Sequence, residues 1–375
     1  MKKIGILTLT ASDNVGSLLQ AYALQNIIDE LGYSAELINL ETKKSKKLYG
    51  IIKPSLIKRP KHLLNTVKNY KKIKMHKKDY ILFRKKYIKQ TLKSYENYKQ
   101  LSEIKDNYNA VVCGSDQIWN VDMYDFDNSY FLGWAKDIPK ISYAASLGGQ
   151  EKIEAKQELR AFKNDIESFK NVSVREDQGR KTLELFTDKK VEVCADPTLV
   201  IDAERWNEMT KDRMIDGDYI FYYSYNYGQK ELNELVKKAS KKHGMPVYVI
   251  NIAKWLDSSP EDYGFIMSDK GGPEAFLNLM RYAKYSYVES LHGTIFAYIF
   301  RKNFWFLNRR FEDKLDHRSE FILKSMDLRG RTLRPNNFDE VNIEEPIDYA
   351  TLNCEMKKWT EKSYKFLKEA LKDVK

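Results

Sequence analysis

The chain has 375 residues, room for two cores of ordinary domain size, and 42% of them are hydrophobic. Its three cysteines, Cys113, Cys194 and Cys354, are far apart in sequence. That suggests neither a disulfide framework nor a zinc knuckle, and it fits a reducing cytosol.

The net charge of +11 is lopsided: residues 43–99 carry 20 Lys or Arg against two acids, Asp79 and Glu96, leaving 44 basic and 51 acidic residues elsewhere. A localised charge of this kind suits a docking surface better than a nucleic-acid binder. No apolar run approaches the roughly 20 residues of a membrane-spanning helix. The opening Met1–Leu9 reads as a buried strand, since its apolar part soon meets Asp13 with no small-residue cleavage site.

In chain order, a strand from Lys3 to Thr10 leads through a loop, Ala11–Gly16, to a helix from Ser17 to Leu31. Gly32 ends it, and Ala35 to Leu40 is the next strand. This is a β-α-β unit of a doubly wound sheet. Gly16 alone is not a dinucleotide fingerprint. The basic segment follows, with Leu63, Val67, Tyr70, Ile73, Tyr80, Phe83, Tyr87 and Ile88 at helical intervals among the lysines. It reads as one or two amphipathic helices, either a solvated face packed on the body or a face for anionic lipid or a phosphate-bearing substrate.

Strand Ala110–Cys113 runs into Gly114-Ser115-Asp116, and Ile141 to Ala145 is a further strand. A helix is expected near Ala155 to Phe169, then strand Val172–Val174, which delivers Arg175-Glu176-Asp177. Val191–Cys194 is a strand halted at Pro197. From about residue 218 the pattern restarts. Tyr219–Tyr223 is a strand, Gln229–His243 a helix, Val247–Ile252 a strand, and Pro273–Ala283 a helix. Tyr285–Val288 is a strand and Thr294–Phe300 helical, so His292 falls where one ends and the other begins. Strand Phe304–Leu307, helix Arg318–Met326 and an amphipathic tail, Met356–Val374, complete the pattern.

The fold expected is α/β, with two Rossmann-like domains facing across a cleft: residues 1–205, bearing a basic helical insertion at about 43–100, and residues 206–350. Residues 351–375 would form a C-terminal helix packed back on the first domain.

The ordered motifs Asn14-Val15-Gly16-Ser17-Leu18-Leu19-Gln20-Ala21-Tyr22-Ala23-Leu24-Gln25, Gly114-Ser115-Asp116-Gln117-Ile118-Trp119-Asn120, Val172-Ser173-Val174-Arg175-Glu176, Asp196-Pro197-Thr198-Leu199, Gly272-Pro273-Glu274-Ala275-Phe276 and Ser290-Leu291-His292-Gly293-Thr294 resemble the polysaccharide pyruvyl transferase family. The resemblance implies a GT-B-like fold, phosphoenolpyruvate as donor and a sugar hydroxyl as acceptor. The product would be a pyruvate ketal on a surface polysaccharide. It also implies catalytic roles for His292 and Arg175. Two positions depart from the family's pattern: Leu291 stands where an aromatic is common, and Glu289 where Asp or Asn is common. The second bears on the acceptor pocket.

The chemistry asks for a proton donor and for counter-charges to the donor's carboxylate and phosphate, with no metal or redox cofactor. An imidazole such as that of His292 suits proton transfer near neutral pH. His317, flanked by Asp316 and Arg318, is its one competitor. The guanidinium of Arg175 suits a planar anion, set against a simple ion pair with Glu176 or Asp177. The N–H groups of Gly293 and Thr294 at a helix start, and Lys314 or Arg318, are candidates for the phosphate. Asn14, Gly16, Ser17 and Asp116 are candidates for the acceptor. Asp116 has helix capping as its ordinary alternative, and the Asn14 loop has a tight β-α turn. Trp119 and Trp134 read as core before sugar platforms.

Two other functions are compatible with this sequence. One is a GT-B glycosyltransferase using a nucleotide sugar, though no acidic pair is clearly placed for a ribose. The other is a non-catalytic polybasic membrane- or glycan-binding protein. The basic segment suggests a cytoplasmic protein, peripheral on the inner face of the membrane beside a lipid-linked acceptor. Nucleic acid is not an expected partner.

Overall fold

The computed structural model describes residues 1–51, 60–149, 158–258 and 263–374. Residues 52–59 of the basic segment and 155–157 of the helix expected at Ala155 lie outside the described residues. The chain forms two compact units. The first comprises Met1–Gly50, Arg84–Ile201 and Met356–Lys375, and the second Ile51–Phe83 and Asp202–Glu355.

In the first unit, β1 (Lys3–Leu7), β2 (Ser34–Leu37), β3 (Ala110–Cys113) and β4 (Lys140–Ser142) form a parallel sheet in the order β2-β1-β3-β4. β5 (Val172–Val174) pairs in parallel with β6 (Val191–Val193). Single bridges, Ile141 to Asn171 and Ala145 to Val174, carry the sheet from β4 to β5. Between β1 and β3 the strand order reverses direction, and helix α1 (Val15–Glu30) starts there. The core joins Val111 and Cys113 of β3 to Trp119, Phe131, Trp134 and Phe169. Trp119 stacks on Phe131 and donates Nε1–H to Tyr130 O at 3.1 Å, so this tryptophan is core. Trp134 likewise donates to Ser129 O at 3.0 Å. The tail helix Asn353–Leu371 belongs to this unit from Met356 onward. Its Ser363 Oγ accepts Ala195 N–H at 2.8 Å, and Tyr33 OH donates to Leu371 O at 2.7 Å.

The second unit contains six parallel strands in the order β12-β11-β10-β7-β8-β9. They are β7 (Ile220–Tyr223), β8 (Val247–Val249), β9 (Ile266–Met267), β10 (Tyr285–Val288), β11 (Asn303–Leu307) and β12 (Thr332–Leu333). Counted within the unit this is the 3-2-1-4-5-6 order of a dinucleotide-type Rossmann sheet, with its switch point between β7 and β10. The strands are near-continuous apolar or aromatic runs because both faces of a parallel sheet are covered. The two-residue strands β9 and β12 escaped the sequence reading, being too short to show a period.

The basic segment differs from expectation. It is not one insertion of the first unit: its middle, Ile51–Phe83, belongs to the second. Helices α2 (Lys43–Leu48), α3 (Pro60–Lys68) and α4 (Tyr70–Tyr87) account for its described helical parts before residue 88. On α4 the stripe Ile73, His76, Tyr80 and Phe83 is buried at helical spacing. His76 Nε2 lies 3.1 Å from Ser268 O, and Asp79 Oδ2 accepts Gly271 N–H at 2.8 Å. Gly271 is the N-cap of the Gly272–Tyr282 helix, so Asp79 sets a negative charge at the positive end of a helix dipole. The segment's other acid, Glu96, pairs with Lys46 within the first unit. Of the two acids of the lysine-rich stretch, Asp79 thus docks it, while Glu96 ties two parts of the stretch to each other.

Candidate functional site

In each unit the motif residues gather at the carboxyl edge of the sheet, at its switch point. In open α/β sheets that is the place where ligands bind.

In the first unit, Asn14 caps α1 with its own side chain: Oδ1 accepts the N–H of Gly16 at 2.9 Å and of Ser17 at 3.3 Å. Those two donors are thus used within the turn. Ser17 Oγ donates to Asp116 Oδ2 at 2.6 Å, bridging the segments that follow β1 and β3. Asp116 caps no helix. It sits at φ 67°, in the left-handed region, and its Oδ1 accepts Gln117 N–H at 2.9 Å. A non-glycine residue held there is a strained feature of the kind that collects at functional sites. Gly114 precedes it at φ +120°, and a Cβ there would fall 2.0 Å from Tyr143 O, so only glycine fits.

Arg175 follows β5 and is 3% exposed. Its Nε donates to Glu176 Oε1 at 2.8 Å and its Nη1 to Asp196 Oδ2 at 2.9 Å, with Asp116 Oδ1 at 3.9 Å. Ser146 Oγ also donates to Glu176, and Thr198 Oγ1 to Asp196. Burial works against the charge on Arg175, but Glu176, Asp196 and Asp116 outweigh it and hold the guanidinium protonated. The ion-pair alternative is thus the one realised. Arg175 organises three carboxylates, and its Nε and Nη1 donate to protein rather than outward. Asp196 reaches it because β5 and β6 run in parallel register, Val174 beside Val193.

In the second unit, Ser290 ends the turn after β10 and caps the Leu291–Ile299 helix, its Oγ accepting Gly293 N–H at 2.9 Å. Thr294 N–H and hydroxyl both go to Ser290 O, at 2.9 and 3.0 Å. The expected use of Gly293 and Thr294 as phosphate donors is therefore corrected: the helix start employs them itself. Gly293 is required for packing, since a Cβ would meet Ser290 Oγ at 2.9 Å. His292, in the first turn, is 5% exposed.

Two of the other histidines hold structural places: His76 docks α4, and His243 stacks on Tyr285 at 3.9 Å with Nε2 3.1 Å from Tyr287 OH. His317 begins the His317–Ser325 helix.

Lys314 and Arg318 lie beyond β11, in the exposed loop and at the next helix start. Arg318 Nε pairs with Asp316 Oδ1 at 3.3 Å, and Asp316 in turn caps that helix through the N–H groups of Arg318 and Ser319. Arg318 is thereby engaged locally.

Glu289, noted in the sequence only as a departure, is the titratable group at this edge that residue pattern missed. It directly follows β10, beside Ser224, which directly follows β7. Ser224 Oγ donates to its Oε2, and Gln229 Nε2 to its Oε1 at 2.6 Å. Burial raises its pKa above the ordinary carboxylate value, against those two hydrogen bonds and the Arg309 charge. Arg309 is thus a basic residue close enough to act on the switch-point acid.

A family model described as polysaccharide pyruvyl transferase matches residues 14–310. Among curated proteins, no sequence matches the chain significantly. Several solved structures share its fold. UDP-GlcNAc 2-epimerase from Methanocaldococcus jannaschii has a TM-score of 0.56 at 9% identity, covering 98% of this chain and 100% of that one. The enzyme of the same name from Rickettsia bellii has a TM-score of 0.55 at 13% identity, over 100% and 97% of the two chains. The UDP co-structure of S. aureus MnaA has a TM-score of 0.51 at 10% identity, over 99% and 91%. At such identities the likeness establishes architecture: two Rossmann-like units of GT-B type. The family match spans the motifs of both switch points, from Asn14 to beyond His292, and the chain belongs to the polysaccharide pyruvyl transferase family.

Proposed function

We propose that the protein transfers pyruvyl from phosphoenolpyruvate to a sugar hydroxyl during cell-surface polysaccharide synthesis, closing a ketal with a second hydroxyl. One observation carries the reading: His292, in the family's Ser-Leu-His-Gly motif, occupies the first helical turn after the strand that borders the switch point. A proton delivered to the methylene carbon of the donor makes it a methyl group and leaves C2 electron-poor. A sugar hydroxyl adds to C2 and loses its proton. The C2–O bond to phosphate then breaks, and the second hydroxyl adds with loss of its own proton. His292 is assigned the first proton transfer. Arg175 is a positioning residue that holds Asp116 and Asp196. Lys314, Arg318 and, at the sheet edge, Arg309 are the candidates to meet the donor's phosphate. The reaction as written uses no redox cofactor.

The test is to incubate the full chain with phosphoenolpyruvate and galactose-, mannose- or N-acetylmannosamine-type acceptors, free and lipid-linked. Phosphate release and product mass are then measured. Turnover by His292→Ala equal to that of the wild type would overturn the assignment. Stabilisation by a nucleotide sugar with none by phosphoenolpyruvate would favour a glycosyltransferase instead.

A second observation favours action beside an acidic membrane surface on the cytoplasmic side. Opposite its buried stripe, α4 exposes Lys71, Lys74, Met75, Lys78, Ile81 and Leu82 at helical spacing, and α3 exposes Leu64 and Val67. Apolar side chains among lysines on one face suit shallow insertion, each lysine adding about 1 kcal/mol near anionic lipid. Among the described residues no helix is long and apolar enough to cross a membrane. Charge reversal at Lys71, Lys74 and Lys78 should abolish co-sedimentation with phosphatidylglycerol vesicles and spare turnover of a water-soluble acceptor. Equal loss of both would refute the membrane role.

A further inference from the structure

The loop from β1 into α1 and the helix α2 border a small recess in the first unit, with room for about one water-sized group. Its polar lining is Ser12, Thr42, Ser45, Tyr49, Asp125 and Tyr130. Ser12 is 3% exposed, and its Oγ is buried with no hydrogen-bond partner among the described residues. The buried carboxylate of Asp125 accepts Tyr49 OH at 3.0 Å, and burial together with Asp125 keeps that phenol protonated. The loop is held in shape by Arg84, which donates to Thr10 O at 3.0 Å, Ser12 O at 2.8 Å and Asp13 Oδ1 at 3.3 Å. The backbone around Ser12 is thus engaged, while its hydroxyl is left for something else.

A buried hydroxyl without a partner is uncommon, because it forgoes hydrogen bonds that water would supply. The recess adds a carboxylate acceptor and phenol and serine hydroxyls, and no Lys or Arg is among its described lining residues. A phosphate or carboxylate would meet the Asp125 charge there, with no cationic side chain among the described lining residues and with Arg84 already engaged by the loop. A neutral hydroxyl fits: it donates to Asp125 and accepts from Ser12 Oγ. It is also the size of the space, so the rest of the ligand would lie outside the mouth. The loop follows β1 directly and leads into the Asn14–Ser17 turn, on one side of the switch point.

The geometry points to a subsite that receives one hydroxyl of a neutral sugar through Ser12, Tyr49 and Asp125. Naming that sugar the acceptor rests on the pyruvyl-transfer reading, but its binding does not.

The test has two arms on the full chain. Saturation-transfer NMR with methyl galactoside, methyl mannoside and N-acetylmannosamine, without donor, reads binding alone. Steady-state kinetics with phosphoenolpyruvate read the acceptor KM. Ser12→Ala and Tyr49→Phe should each weaken sugar binding and raise acceptor KM about 10-fold, the loss of one hydrogen bond, with kcat and the donor KM within about two-fold. Tyr49→Phe keeps the ring and gives the same reading if Ser12→Ala is unstable. Wild-type KM in both variants, or a crystal soaked in sugar that shows only a fixed water in the recess, would overturn the subsite. Sugar binding that depends on Ser12 in a protein releasing no phosphate would instead sink the pyruvyl-transfer reading and leave the subsite standing.

Discussion

The two switch points are built on opposite electrostatic plans. In the first unit a single buried guanidinium is surrounded by Asp116, Glu176 and Asp196, with Ser17, Ser146 and Thr198 filling the remaining bonds. In the second, an acid and a histidine flank a self-capped helix start, and the acid is held by the neutral donors Ser224 and Gln229. The Glu289 carboxyl, held by neutral groups and desolvated, is easier to protonate than an ordinary carboxylate. The contrast fits the proposed division of labour, with rigidity at one site and proton handling at the other. It also explains why an arginine that reads as a ligand clamp in sequence is occupied within the fold.

The sharpest way to break the comparison is Arg175→Ala. It would leave Glu176 and Asp196 buried beside each other without their cation, and breaking such a pair costs about 3–5 kcal/mol. Urea unfolding should show that loss, and a small change would mean the arginine is not the organiser. His292→Ala should do the reverse, lowering phosphate release by about 10²–10⁴-fold while the unfolding midpoint stays near wild type. A stability loss matching that of Arg175→Ala would erase the distinction between the sites. Ser17→Ala removes one bond to a carboxylate and should cost about 1.5–3 kcal/mol in the same unfolding measurement.

The smallest effect is expected at Glu289. Burial raises its folded pKa above the ordinary carboxylate value of 4.5, so the folded state binds more protons than the unfolded state just above that pH. Stability contributed by this group is full below pH 4.5 and falls as pH rises through its folded pKa. Glu289→Gln should flatten that part of the stability-pH curve. An unchanged curve would show that Ser224 and Gln229 offset desolvation completely.

Much of the second site was legible in residue order. Tyr285–Val288 is a strand as read, and Ser290-Leu291-His292-Gly293 places a cap and a histidine at a helix start because capping is local chemistry. The partners of Arg175 were harder to see. Glu176 adjoins it, but Asp196 is 21 residues away and arrives only through the parallel pairing of β5 with β6. Glu289 showed only as a family departure, since its burial depends on residues after a different strand. The basic segment misled for a related reason: its buried stripe was visible, but which body it would pack against was not. The His76 and Asp79 contacts to Ser268 and Gly271 connect positions almost 200 apart, with a separation of 192 for each.

Amino-acid order alone determined the α/β class, the two successive Rossmann-like halves and the family motifs. These depend on periodicity, punctuation by glycine and proline, and short-range capping. Tertiary structure decided which charges are neutralised, which helix-start donors are already used and which unit holds the lysine-rich helices. Each of those depends on strand order bringing distant residues to one edge, and on the desolvation that follows.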